Sequence, residues 1–334
     1  MVWYARLAVR RPEGDRFLLR RRPPPPIDLS FGDPRLAEIR AAALVGGAGK
    51  WPVIRGQLAA AREGEDLTFL AEGLRNVAGI ERWIGEVIAA GPGEPADPLA
   101  LLVAGARQVG WAWHARGRFQ AVSEPQRALF RGRLETAQEH LFEAAEREPS
   151  WAAPWYFLQI CARGLQSGPE VAERRFEATC RQAPGHAAAH REYLRQLSRQ
   201  PGGSPERTHA FARAAMLAAP KGSRLGELVA VAHLEEWLHL GGDPESLYLG
   251  SPQVLGALHE AADRSVHHPD FVRQRDWTLA FNTFAMAFAL AGDHRAARPL
   301  FRALGSRATE DPWRHLDARS PLVPFLAWRA RVGR

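Results

Sequence analysis

The chain has 334 residues, 46% hydrophobic and 24% charged, with a net charge of +7. That composition lies outside the polar, charge-skewed range of disordered chains and supports a large buried core. No run approaches the roughly eighteen apolar residues that span a bilayer, and the N-terminus lacks the charged and apolar regions of a signal peptide, so a cytoplasmic protein is expected. Two cysteines, Cys161 and Cys180, have no metal-ligand spacing and are too few for a disulfide scaffold. Lys50 and Lys221 are the only lysines. With heavy use of Ala, Gly and Pro, this arginine-dominated basicity reads as the mark of a GC-rich genome more than of a nucleic-acid partner.

Near the start, Val2, Tyr4, Leu7 and Val9, then Phe17 and Leu19, alternate around Pro12-Glu13-Gly14-Asp15, the pattern of a short β-hairpin. Arg20, Arg21 and Arg22 run into Pro23 to Pro26, a basic tail leading to a polyproline II spacer, and residues 1–32 form an N-terminal basic, proline-rich segment. Asp33-Pro34 opens a helix through about Leu44, and a second helix begins near Trp51. Asp66 caps a further run through Leu67, Leu70 and Leu74. Val77 to Ala90 continues with Ile80, Trp83, Ile84, Val87 and Ile88 on one stripe, until Gly91-Pro92-Gly93 breaks it. Asp97-Pro98 starts the helix carrying Trp111 and Trp113, so residues 33–123 read as an irregular helical part.

Beyond it a period emerges. Pro149, Pro184 and Pro220 fall 35 and 36 residues apart, each closing a helix with apolar residues at the same offsets behind it. Ala137, Leu141 and Ala144 precede Pro149. Ala172 and Phe176 precede Pro184, with Thr179 at the remaining small position, and Trp155 and Leu158 lie on the helix before. Small residues let helices approach closely while the large one fills the gap between hairpins. In this spacing the chain resembles the tetratricopeptide repeat family from about Glu124 to Pro312. Later copies degrade: Phe211 and Ala215 precede Pro220, Pro269 follows an expanded loop at Gly241-Gly242-Asp243-Pro244, and a last pair runs from Trp277 through Gly292-Asp293 to Leu304. The segments Gln200 to Arg213 and Asn282 to Asp293 also look like an uncharacterised bacterial branch of tetratricopeptide-like proteins. The resemblance implies an all-α fold, a right-handed α-solenoid of helix hairpins over residues 124–334.

In that family the first helix of each hairpin lines a concave face. The groove positions hold Tyr156 and Arg163, then Arg191, Arg195 and Arg199, then Arg224, Glu227 and Glu235, and finally Asn282. A row of guanidiniums suits bidentate capture of carboxylates. The expected function is therefore a non-enzymatic protein-interaction scaffold, its partner a protein or peptide of acidic character. The spacing of four between Arg191, Arg195 and Arg199 is equally that of a solvated helix stripe.

Catalytic motifs are absent. Val45-Gly46-Gly47-Ala48-Gly49-Lys50 is followed by Trp51 where a phosphate loop needs Ser or Thr, and neither cysteine has a nucleophile's context. His186 and His190 share a helical face but lack the glutamate of a zinc-protease motif and read as structural. His233, Glu236 and His239 drift by more than a right angle around their helix, so no shared ion is expected, and no metal or cofactor is assigned. A second reading, of different class, is a small-molecule binder or enzyme of unknown reaction whose pocket uses Trp111, Trp113, His114, His233, Glu236 or His239. Most of the eleven tryptophans read as core filling between helices.

Overall fold

A computed structural model of the chain describes residues 26–61, 64–89, 95–116, 123–199 and 204–333. These residues form fifteen α-helices and no strand, as the all-α reading expects. The expected β-hairpin and the Arg20 to Pro25 run lie outside the described residues. Contacts gather the helices into two compact units, one from Gly32 to Gln196 and the other from Leu197 onward.

The first unit contains α1 (Pro34–Val45), α2 (Trp51–Ala59), α3 (Gly64–Arg75), α4 (Ile80–Ile88), α5 (Pro98–Arg116), α6 (Glu124–Arg147), α7 (Ala152–Leu165) and α8 (Pro169–Gln182), and most of α9 (Ala187–Arg199). Asp33 caps α1 by accepting from the amides of Arg35 and Leu36. Asp66 differs from its expected role. The helix starts two residues earlier, and Asp66 instead receives both ends of the Arg35 guanidinium, at 2.7 and 2.9 Å, joining α1 to α3. Gly79, at φ 100°, separates α3 from α4, so the stripe read from Val77 onward begins at Ile80. Ser123 and Gln126 close a capping box on α6, and its Leu134, Ala137, Leu141 and Ala144 are fully buried. Helices α5, α6, α7 and α8 each pack along the next, while α3 lies against both α5 and α7. Residues on either side of position 123 thus belong to one unit.

The second unit contains α10 (Pro205–Ala218), α11 (Glu227–His239), α12 (Pro252–Arg264), α13 (Trp277–Leu290), α14 (His294–Leu304) and α15 (Leu322–Gly333). Helix α13 is buried at every position from Ala280 to Leu290 and touches α11, α12, α14 and α15. It is hydrophobic all round, the composition of a central helix. Its one amide, Asn282, has no exposed surface. It donates to the carbonyls of Thr278 (2.8 Å) and Arg307 (3.0 Å) and accepts from Trp313 Nε1 at 2.7 Å. Trp313 in turn packs against Phe301 and Phe325. Asn282 is therefore a core clasp and not the groove residue expected of it, because the segment after α14 folds back over α13. Replacing it in Asn282→Leu strands the Arg307 carbonyl and the Trp313 indole N–H, and thermal or urea unfolding should show the second unit destabilised by about 2–3 kcal/mol.

Candidate functional site

The expected concave groove is tested most directly in the first unit, where α7 and α9 carry four of its residues. Here α3 covers that face. Its Glu65, Thr68, Glu72 and Arg75, spaced by three and four, form one stripe. Glu65 accepts from the Ala187 amide at 3.0 Å, and Thr68 Oγ1 lies 2.9 Å from His186 Nε2. Glu72 pairs with Arg75 at 2.9 Å and takes the Tyr156 hydroxyl's hydrogen bond. Gly110 of α5 makes room for the end of α3, since a Cβ there would stand 2.1 Å from the Arg75 carbonyl.

Around that stripe the predicted groove residues come together, already engaged. Arg163 bonds Glu192 and lies 4.3 Å from the Trp113 ring centroid. Tyr156 is buried and stacks on His186. Arg191 is buried too, and Arg195 acts on Glu72, Arg75 and Glu192. Burial pushes the Glu192 carboxyl up, yet Arg163 and Arg195, helped by Arg75, hold it below its ordinary value of 4.5. These residues form the internal polar seam between α3, α7 and α9, which corrects the expectation of an open groove at this face. In the second unit Arg224 is likewise buried, pairing with Asp276 at 2.6 Å. The side chain of Arg199 lies outside the described part.

The alternative pocket is divided. Trp111, Trp113 and His114 belong to the first unit, where Arg133 sits 3.5 Å from the Trp111 centroid, Phe130 meets Trp113 edge-on and His114 is exposed. His233 and Glu236 belong to the second and do meet, though with different partners from the expected one. Exposed His239 points elsewhere. His209 from α10 and Tyr248 from the loop after α11 complete the group: His209 Nε2 lies 2.5 Å from Glu236 Oε2, the Tyr248 hydroxyl bonds the same oxygen, and His233 Nδ1 is 2.8 Å from that hydroxyl. Burial, then the neighbouring His209, lowers His233 to about 4, leaving it neutral at pH 7. Burial raises Glu236, but the hydrogen bonds of Tyr248 and His209 more than offset this.

A surface feature not singled out from the sequence lies on the outer side of the first unit. Phe142 of α6, Trp155 of α7 and Val171 and Ala178 of α8 floor a cleft of about 570 Å³, edged by Arg174, Arg175, Arg181 and Glu177. Arg175 is fixed, donating to the Leu158 carbonyl and to Gln138 at 2.6 Å each, with its guanidinium 5.5 Å from the Phe142 centroid. Phe142 is 39% exposed and meets Trp155 edge-on at 6.3 Å. Arg174 and Arg181, two turns apart on α8, are exposed and make no ion pair or side-chain hydrogen bond among the described residues. The signal for this cleft was present: Leu141 carries the repeat packing, so its neighbour Phe142 stands off the buried stripe.

No family model matches the chain, and no curated protein or solved structure matches it at a significant level. The function therefore has to be read from these sites. For the polar seam, the depressed Glu192 carboxyl contributes stability that is present above pH 4.5 and lost as pH falls below it. Glu192→Gln, which leaves Arg163 without its charge partner, should cost about 3 kcal/mol near pH 7. The stability gap between wild type and variant should shrink below about pH 4.5, as urea unfolding across pH will report.

Proposed function

We propose that the chain is an interaction protein of stacked helix hairpins, tetratricopeptide-like and wound as a right-handed solenoid, that binds an acidic peptide segment carrying an apolar side chain. The short links that join α6 through α10, and the fully buried Ala137, Leu141 and Ala144 at the repeat spacing, support the hairpin reading. The single observation that carries the binding reading is the α6–α7–α8 cleft, where the exposed Phe142 ring and the half-buried Trp155 ring lie beside arginines that other residues leave available. An exposed aromatic floor gives an apolar anchor, and Arg174 and Arg181 outweigh Glu177 at its edge, giving charge complementarity to carboxylates. The binding face is thus an outer one and not the concave face expected at first. No described helix is long and apolar enough to cross a membrane, and the unpaired Cys161 and Cys180 suit a reducing cytoplasm.

The test is fluorescence anisotropy of a panel of short labelled peptides in which acidic residues flank one Leu, Phe or Trp. At least one should bind, with affinity falling as salt rises. The pair Arg174→Glu and Arg181→Glu, and separately Phe142→Ser, should each weaken it about tenfold or more. Equal affinity in all three proteins, or no binding by any peptide of the panel, would overturn the assignment.

A further inference from the structure

The second unit holds a cluster that the peptide-binding reading does not use. His209 comes from α10, and His233 and Glu236, three apart, project from one face of α11. One ligand atom from each lies within 4.8 Å of the other two. We propose that His209, His233 and Glu236 form a divalent-metal site of the zinc type, with Tyr248 as its positioning residue.

Two imidazoles and one carboxylate are the donor set of three-ligand zinc centres, in which a fourth position stays open to water or substrate. The ligands stand on helices, so their backbones are held. Access exists as well, because the side chains of His209 and Glu236 are 26% and 25% exposed while His233 lies deeper. Tetrahedral zinc with bonds of about 2.0–2.1 Å sets its ligand atoms about 3.3 Å apart. The His209–Glu236 pair, now 2.5 Å apart, opens by about 0.8 Å, and the other separations, all within 4.8 Å, close by at most about 1.5 Å. Rotations about terminal side-chain bonds cover both. The proton that bridges His209 and Glu236 leaves to solvent as the ion takes its place.

Proton counting assigns the role of Tyr248. Its hydroxyl has one proton, donated to Glu236, so the 2.8 Å contact with His233 requires the proton on Nδ1 to be donated to the tyrosine oxygen. The lone pair of His233 is then on Nε2, the nitrogen left for an ion. A residue that fixes the tautomer of one ligand and the orientation of another is the usual outer support of a metal site.

The experiment is calorimetric titration of tag-free, chelator-stripped protein with zinc chloride, repeated with cobalt chloride to read visible absorption of a tetrahedral ion. One ion per chain is expected. His209→Ala and Glu236→Gln should each weaken binding about a hundredfold, and Tyr248→Phe about tenfold. His239→Ala, one turn further on and exposed, should leave it unchanged. Circular dichroism melts identify any variant that does not fold, and His209→Ala, at a partly exposed position, decides the matter alone if Glu236→Gln fails to fold. Absence of stoichiometric binding, or affinity that survives His209→Ala, overturns the proposal.

Discussion

A guanidinium drawn into a helical interior must keep its hydrogen bonds and find a counter-charge, and this requirement shapes both units. Arg35 joins two helices through Asp66, Arg107 reaches Glu81 at 2.7 Å and the Arg75 carbonyl at 3.1 Å, Arg163 meets Glu192, and Arg224 meets Asp276. In each case the acidic partner lies on another element, so satisfying the charge also sets how two segments pack. Such pairs add little net stability over an apolar contact of the same shape, yet removing one partner is costly. They therefore select an arrangement more than they strengthen it.

The same requirement separates structural arginines from those available to a partner. Arg175 belongs to the first group, since its two bonds to Leu158 and Gln138 hold the cleft's edge in place. Arg174 and Arg181, on the same helix, belong to the second. The fixed edge loses little side-chain freedom on association, whereas each available cation that is immobilised costs about 0.5–1.5 kcal/mol. The histidine cluster shows the opposite economy of groups, with four polar side chains from three segments converging where one hydrogen-bonded chain would have needed fewer.

Local structure was largely legible in the sequence. Asp33-Pro34, Trp51 and Asp97-Pro98 each mark the start of a helix as read, and Pro149, Pro184 and Pro220 each lie two residues beyond the end of one. Those signals are local, arising from caps and from the lost amide of proline. Facing was not legible. That Tyr156, Arg163 and Arg195 turn toward α3 depends on pairings between residues 29 to 122 apart, for which no single helix carries a sign. The cluster illustrates the same limit. His233 and Glu236 share a face by their spacing, but His209 and Tyr248 enter from other segments.

The seam between α3 and α9 also has a bearing on synthesis. Thr68 and His186 are 118 residues apart in the chain, with Ala187 and Glu65 separated further still. At about 5–20 residues per second, a ribosome releases α3 some 6–24 s before it releases the helix that completes its polar face. Through that interval Glu65 and Thr68 stay solvated by water instead of by protein. The first unit therefore closes late in translation, from its C-terminal side, and its earliest helices wait on its last.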